Sequence, residues 1–144
     1  MLPTLLLSAL LSIALLASTN ANAEQMKKLG NWNVHYIAFG ATFLTPEIAK
    51  AYGIVRSRYK GVVNISVLND DMTSTAQKVT VSGVARNLIG NQVDLEFKEI
   101  VEGKSVYYIA QIDYSNAETF RFEITVKQGS KSESFKFSQI FYAD

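Results

Sequence analysis

From Trp32 to Phe141 apolar residues recur, segment after segment, at every second position. That is the side-chain period of a β-strand, where successive residues point to opposite faces, and it argues against a helical fold. Phe120, Phe122, Ile124 and Val126 alternate with Arg121, Glu123, Thr125 and Lys127 in the cleanest instance. Val93, Leu95 and Phe97 alternate with Asp94, Glu96 and Lys98, which puts Asp94 and Glu96 on the wet side of that strand. The same rhythm runs through Val63-Ile65-Val67, Val79-Val81, Val106-Tyr108-Ala110-Ile112 and Phe135-Phe137-Phe141. In Trp32–Phe39 both sides are apolar: Trp32, Val34, Tyr36 and Ala38 on one, His35, Ile37 and Phe39 on the other. This strand is expected to be covered on both faces.

Turn signals separate these runs at Asn69-Asp70-Asp71, Gly90-Asn91, Glu102-Gly103-Lys104, Ser115-Asn116 and Gly129-Ser130. Glu102-Gly103-Lys104 reads as a tight hairpin. Seven short strands in one domain predict an all-β, two-sheet antiparallel β-sandwich of immunoglobulin-like size, with an up-and-down barrel as the other topology. One segment breaks the period. In Thr45-Pro46-Glu47-Ile48-Ala49-Lys50-Ala51-Tyr52-Gly53, Thr45 suits an N-cap, Pro46 the first turn and Gly53 a left-handed C-cap. A short helix over 45–52 follows, with Ile48, Ala51 and Tyr52 spaced to pack on a sheet.

The first 23 residues carry no charged side chain and end in Ala21-Asn22-Ala23 after an apolar run from Leu5 to Ala17. This is the layout of a secretory signal peptide (1–23) ahead of a single domain (24–144), although its start lacks the usual basic residues. The apolar run is short for a membrane span of about 20 residues, so no stable membrane insertion is expected after cleavage. An exported domain without cysteine holds together by packing, for which 8 Phe, 7 Tyr and 1 Trp supply the bulk. Thiol redox chemistry and Cys-ligated metals are excluded.

With 14 basic and 13 acidic side chains, nothing predicts nucleic-acid binding. His35 is the sole histidine, too few for a copper or zinc site, and Asn69-Asp70-Asp71 lacks the later ligands of a calcium loop. No cofactor is expected. A single imidazole and the lack of a G-x-S-x-G motif mark no catalytic residue, and a hydrolase using His35 as base is the least supported reading. The most suggestive run is Ile54-Val55-Arg56-Ser57-Arg58-Tyr59-Lys60-Gly61. In an extended strand Arg56, Arg58 and Lys60 would share a side and grip a carboxylate or phosphate, with Tyr59 on the other side. The competing account is an edge strand guarded by its charges.

Trp32–Phe39, Thr42-Phe43-Leu44-Thr45-Pro46-Glu47-Ile48-Ala49 and Tyr52–Gly61 resemble domain of unknown function 4426, a family of exported proteobacterial proteins. The resemblance runs from about Glu24 to Asp144 and is most specific from Thr42 to Gly61. It implies a Gram-negative envelope setting, the periplasm, and carries over no activity, cofactor or catalytic residue. The resulting expectation is a non-enzymatic binding module for an envelope protein or small anionic ligand, with Arg56, Arg58, Lys60, Tyr59 and His35 as candidate binding residues. An assembly role through edge-strand pairing is the alternative. N-terminal sequencing of the exported protein is expected to begin at Glu24; Met1 on a membrane-bound form would overturn the localisation.

Overall fold

The computed structural model describes residues 24–143, so the 1–23 signal peptide and its cleavage after Ala23 lie outside the described residues. The chain forms β1 (Gln25–Leu29), β2 (Trp32–Gly40), a 3-10 turn (Ala41–Phe43), α1 (Pro46–Tyr52) and β3 (Lys60–Asn69). After these come β4 (Thr80–Asn87), β5 (Gln92–Leu95), β6 (Lys98–Glu102), β7 (Ser105–Asp113), β8 (Glu118–Gln128) and β9 (Lys131–Phe141). Two antiparallel sheets result, ordered β1-β2-β3-β7-β6 and β5-β4-β8-β9. They face each other as an open sandwich rather than a closed barrel.

The strand period decides which side chains lie between the sheets. Val34, Tyr36, Val63, Ile65, Tyr108 and Ala110 come from the five-stranded sheet, and Ala85, Phe122, Ile124, Phe135 and Phe141 from the other. Ring contacts bridge the layers: Tyr36 lies 4.7 Å from Phe137 and 5.1 Å from Phe135, and Tyr114 stacks on Phe141 at 4.9 Å. Tyr108 ties the polar rim to this core. Its hydroxyl accepts from the Val79 N–H at 2.8 Å and donates to Glu99 at 3.0 Å, and burial holds its ionisation above the ordinary tyrosine range. On the opposite margin Lys131 Nζ sits 3.9 Å from the centre of the Trp32 ring, joining β9 to β2 by a cation–π contact.

Two more strands exist than the alternation predicts. β1 is an edge strand paired only with β2, and Gln25 to Lys28 are all exposed, so it carries no apolar rhythm. Val93–Lys98, a single run in sequence, is divided: β5 pairs with β4, β6 pairs with β7, and the chain changes sheets at Glu96-Phe97. Leu95 and Phe97 both still reach the core, which is why the period runs unbroken across the crossing. Asn69-Asp70-Asp71 likewise opens a crossing from β3 to β4 rather than a tight hairpin; the Asp71 carboxylate accepts from the Thr73 and Ser74 N–H groups. The hairpin expected at Gly103-Lys104 is present, with Glu102 opposite Ser105. Gly103 takes φ +60°, the left-handed value required at the first position of a type II′ turn.

Phe122 is 1% exposed and stacks on Phe137 at 4.7 Å across neighbouring strands. Phe122→Ala is expected to cost about 3–5 kcal/mol, read as a lower urea midpoint with an unchanged slope.

Candidate functional site

The turn, α1 and the segment leading into β3 form a lid over one end of the outer face of the five-stranded sheet. Ala41, Ala49 and Ile54 of the lid bury against Val62 and Ile109, with Phe39, Leu44, Tyr52, Ile100 and Tyr107 around them. The helix is capped as expected: Thr45 Oγ1 accepts from Ile48 N–H, Pro46 opens the helix, and Gly53 closes it at φ +66°. Its buried residue is Ala49, whereas Ile48 and Ala51 face water. Seven residues make barely two turns, and the close approach of helix to sheet needs a methyl-sized side chain beneath it. β2 is accordingly covered on its outer side only near Phe39.

The basic run is not an extended strand. Ser57 to Lys60 form a turn closed by Lys60 N–H to Ser57 C=O at 3.3 Å, and β3 begins at Lys60. The cations are therefore directed to different neighbours. Arg56 Nε donates to Leu44 C=O at 2.8 Å and its Nη2 to Thr42 C=O at 3.3 Å, which staples the two ends of the lid together. Arg58 Nη2 donates to Ala143 C=O at 3.1 Å, and its guanidinium lies 5.7 Å from the Tyr59 ring centre. Lys60 pairs with Asp113, its cross-strand partner, at 2.7 Å. The Gln111 amide completes the anchorage, accepting from Val55 N–H and donating to Val55 C=O, both at 2.9 Å. At the far end of α1 the Tyr52 hydroxyl donates to Glu102, and that hydrogen bond, then burial, holds the phenol above the ordinary tyrosine range.

His35 stands apart. It lies opposite Ser66, six residues along β3 from Lys60 and hence about 20 Å away. Its Nδ1 is 3.0 Å from Glu24 Oε1 and its side chain is 29% exposed. A cleft of about 220 Å³ surrounds it, lined also by Asn64, Ser66, Ser105 and Tyr107, and the buried Asn64 Oδ1 has no hydrogen-bond partner. Glu24, His35 and Ser66 share this face, but no hydrogen bond joins His35 to Ser66 among the described residues. Ser66 pairs with His35 on β2, and the register with β7 ends one residue earlier, at Ile65 opposite Tyr108.

Sequence reasoning passed over a cleft of about 530 Å³ on the outer face of the four-stranded sheet, whose walls include Arg86, Arg121 and Lys136. These residues are 15 or more apart in sequence and meet only through the β4-β8-β9 register. The usable signal was Arg121 on the polar side of the cleanest alternating strand.

Residues 26–144 match the family described as Domain of unknown function (DUF4426). The chain belongs to this family. A crystal structure of a DUF4426 family protein from Pseudomonas aeruginosa PAO1 is similar at 34% identity and a TM-score of 0.74, covering 84% of this chain and 96% of that one. A copper-bound variant of FetP from uropathogenic Escherichia coli shares the fold at 10% identity and a TM-score of 0.59, over 83% of this chain and 95% of that one. FetP recombinantly expressed in the E. coli periplasm gives 11% identity and a TM-score of 0.55, over 83% and 93%. No curated protein sequence matches the chain. Among the described residues no helix is long and apolar enough to cross a membrane.

Arg56→Ala removes both staples of the lid. It is expected to cost about 1–2 kcal/mol and to speed amide exchange at residues 41–56, with the β8–β9 amides unchanged. Uniform exchange across both sheets would show that the lid is held by other contacts.

Proposed function

We propose that this DUF4426 protein is a non-enzymatic binding module of the Gram-negative periplasm that docks an envelope protein through its lid. The observation carrying this reading is the surface of residues 41–60. Phe43 is 70% exposed, Val55 56%, Tyr59 51% and Ile48 44%, on a segment immobilised from beneath by Arg56, Gln111 and the buried Ala49. Scattered exposed apolar residues need no explanation, but several large ones on one rigid segment mark an interaction surface. Rigidity also lowers the ordering cost of association.

Within this surface Arg58 and Tyr59 are the contact residues, and Arg58 favours an acidic group on the partner. Arg56 and Lys60 position the segment, and the His35 cleft offers a separate polar pocket on the same sheet. Export with cleavage after Ala23, leaving Glu24 first, is supported by the signal-like leader. The copper belongs to the FetP variant; here the one imidazole has, among the described residues, a single carboxylate beside it. Edge-strand pairing has less support. The long edge strand β9 carries Lys131 and Lys136, and lysines on an edge strand discourage strand addition.

A photo-crosslinking amino acid placed at Phe43 of the exported chain is expected to capture a specific band in cells. The same probe at Ser132, on the outer face of the other sheet, is not. The Phe43 band should vanish when Arg58→Glu is added. Identical bands from both positions, none from Phe43, or a band indifferent to Arg58→Glu would sink the proposal.

A further inference from the structure

On the outer face of the four-stranded sheet Arg86 of β4 and Arg121 of β8 are direct cross-strand partners, and Arg121 is in turn paired with Ser138 of β9. Like charges directly opposite on neighbouring strands destabilise a sheet. One carboxylate relieves this in part: Glu123 Oε2 lies 3.7 Å from Arg86 Nη1. Among the described residues Arg121 has no ion pair or side-chain hydrogen bond. Lys136, opposite Glu123, adds a third cation, so three positive groups and one carboxylate line the cleft of about 530 Å³. At one end the cleft is walled by Leu88, an exposed residue of the β4–β5 turn.

We propose that this cleft binds an amphiphilic anion, with a phosphate or carboxylate head held between the Arg86 and Arg121 guanidiniums and an apolar body lying along Leu88. A guanidinium presents its donors as a planar fork that matches two oxygens of such a head. Two forks side by side, with the Ser138 hydroxyl in the same row, meet a head group from adjacent strands. Bound anion cancels the repulsion that the empty row carries, so the site gains from charge complementarity as well as hydrogen bonds. Leu88 shares the lining with the cations and is 66% exposed, and a bare inorganic anion would leave it uncovered. The cleft lies on the sheet opposite the lid, so it stands or falls independently of protein docking there.

Titration calorimetry on the mature protein at low ionic strength tests this with octyl phosphate below its micelle concentration, inorganic phosphate and the neutral octyl glucoside. Octyl phosphate is expected to bind, more tightly than either of the others. Arg121→Gln is expected to weaken it by about tenfold or more, the loss of one charge-assisted contact. Arg86→Lys, which keeps the charge and loses the fork, should also weaken binding, whereas Arg58→Gln on the other sheet should not. A thermal midpoint no lower than that of the unsubstituted protein shows that each variant is folded; Arg121→Gln, which relieves the repulsion, is expected to sit at or above it. No binding of octyl phosphate, equal binding of octyl glucoside or of inorganic phosphate, or indifference to Arg121→Gln overturns the proposal.

Discussion

Packing of aromatic rings between two sheets is the interaction on which everything else in this protein rests. Without cysteine, no disulfide joins the layers. Tyr36 against Phe135 and Phe137, and Tyr114 against Phe141, supply ring contacts that hold them in one relative position. Offset and edge-on rings contribute specific geometry beyond the area they bury. That fixed spacing is what makes each outer face a dependable platform. The lid sits on one outer face and the arginine row on the other.

The lid shows how a small fold spends its polar groups. Gln111 pairs with both backbone groups of Val55, much as a neighbouring strand would, although no strand is there. Arg56 satisfies two carbonyls of a turn that has no regular partners of its own. Irregular backbone lying on a sheet must find such partners or lose stability. Two side chains thus do for the lid what a ladder of hydrogen bonds does for a strand, and the apolar residues of the segment are left to face outward.

Much of the fold was legible in the sequence because alternation is a local property. Phe120 to Lys127 announces its buried and wet sides residue by residue, and Thr45, Pro46 and Gly53 announce the helix and its ends. Legibility failed where the deciding partner is distant. Gln25 to Lys28 form a strand only because β2 offers an edge. The change of sheet at Glu96-Phe97 leaves the apolar period intact and so leaves no trace in it. Which helix residue is buried depended on how closely the sheet approaches. The basic run misled for the same reason. Residues two apart in sequence share a side only if the backbone is extended, and with a turn at Ser57–Lys60 the cations Arg56, Arg58 and Lys60 share no partner. Arg86 and Arg121 had the reverse fate, becoming neighbours through strand register alone.

The order of pairing in the two sheets has a consequence for how the chain acquires its shape. The hairpins β1–β2, β4–β5, β6–β7 and β8–β9 each join strands close in sequence, and β2 reaches β3 across the lid. The pairings that complete the sheets, β3 with β7 and β4 with β8, join strands separated by long stretches of chain. Closing such loops is entropically costly and slow compared with forming hairpins. A chain appearing N-terminus first would therefore carry half-built sheets with exposed strand edges until β7 and β8 emerge. The last two hairpins thus supply the partners without which neither sheet is complete.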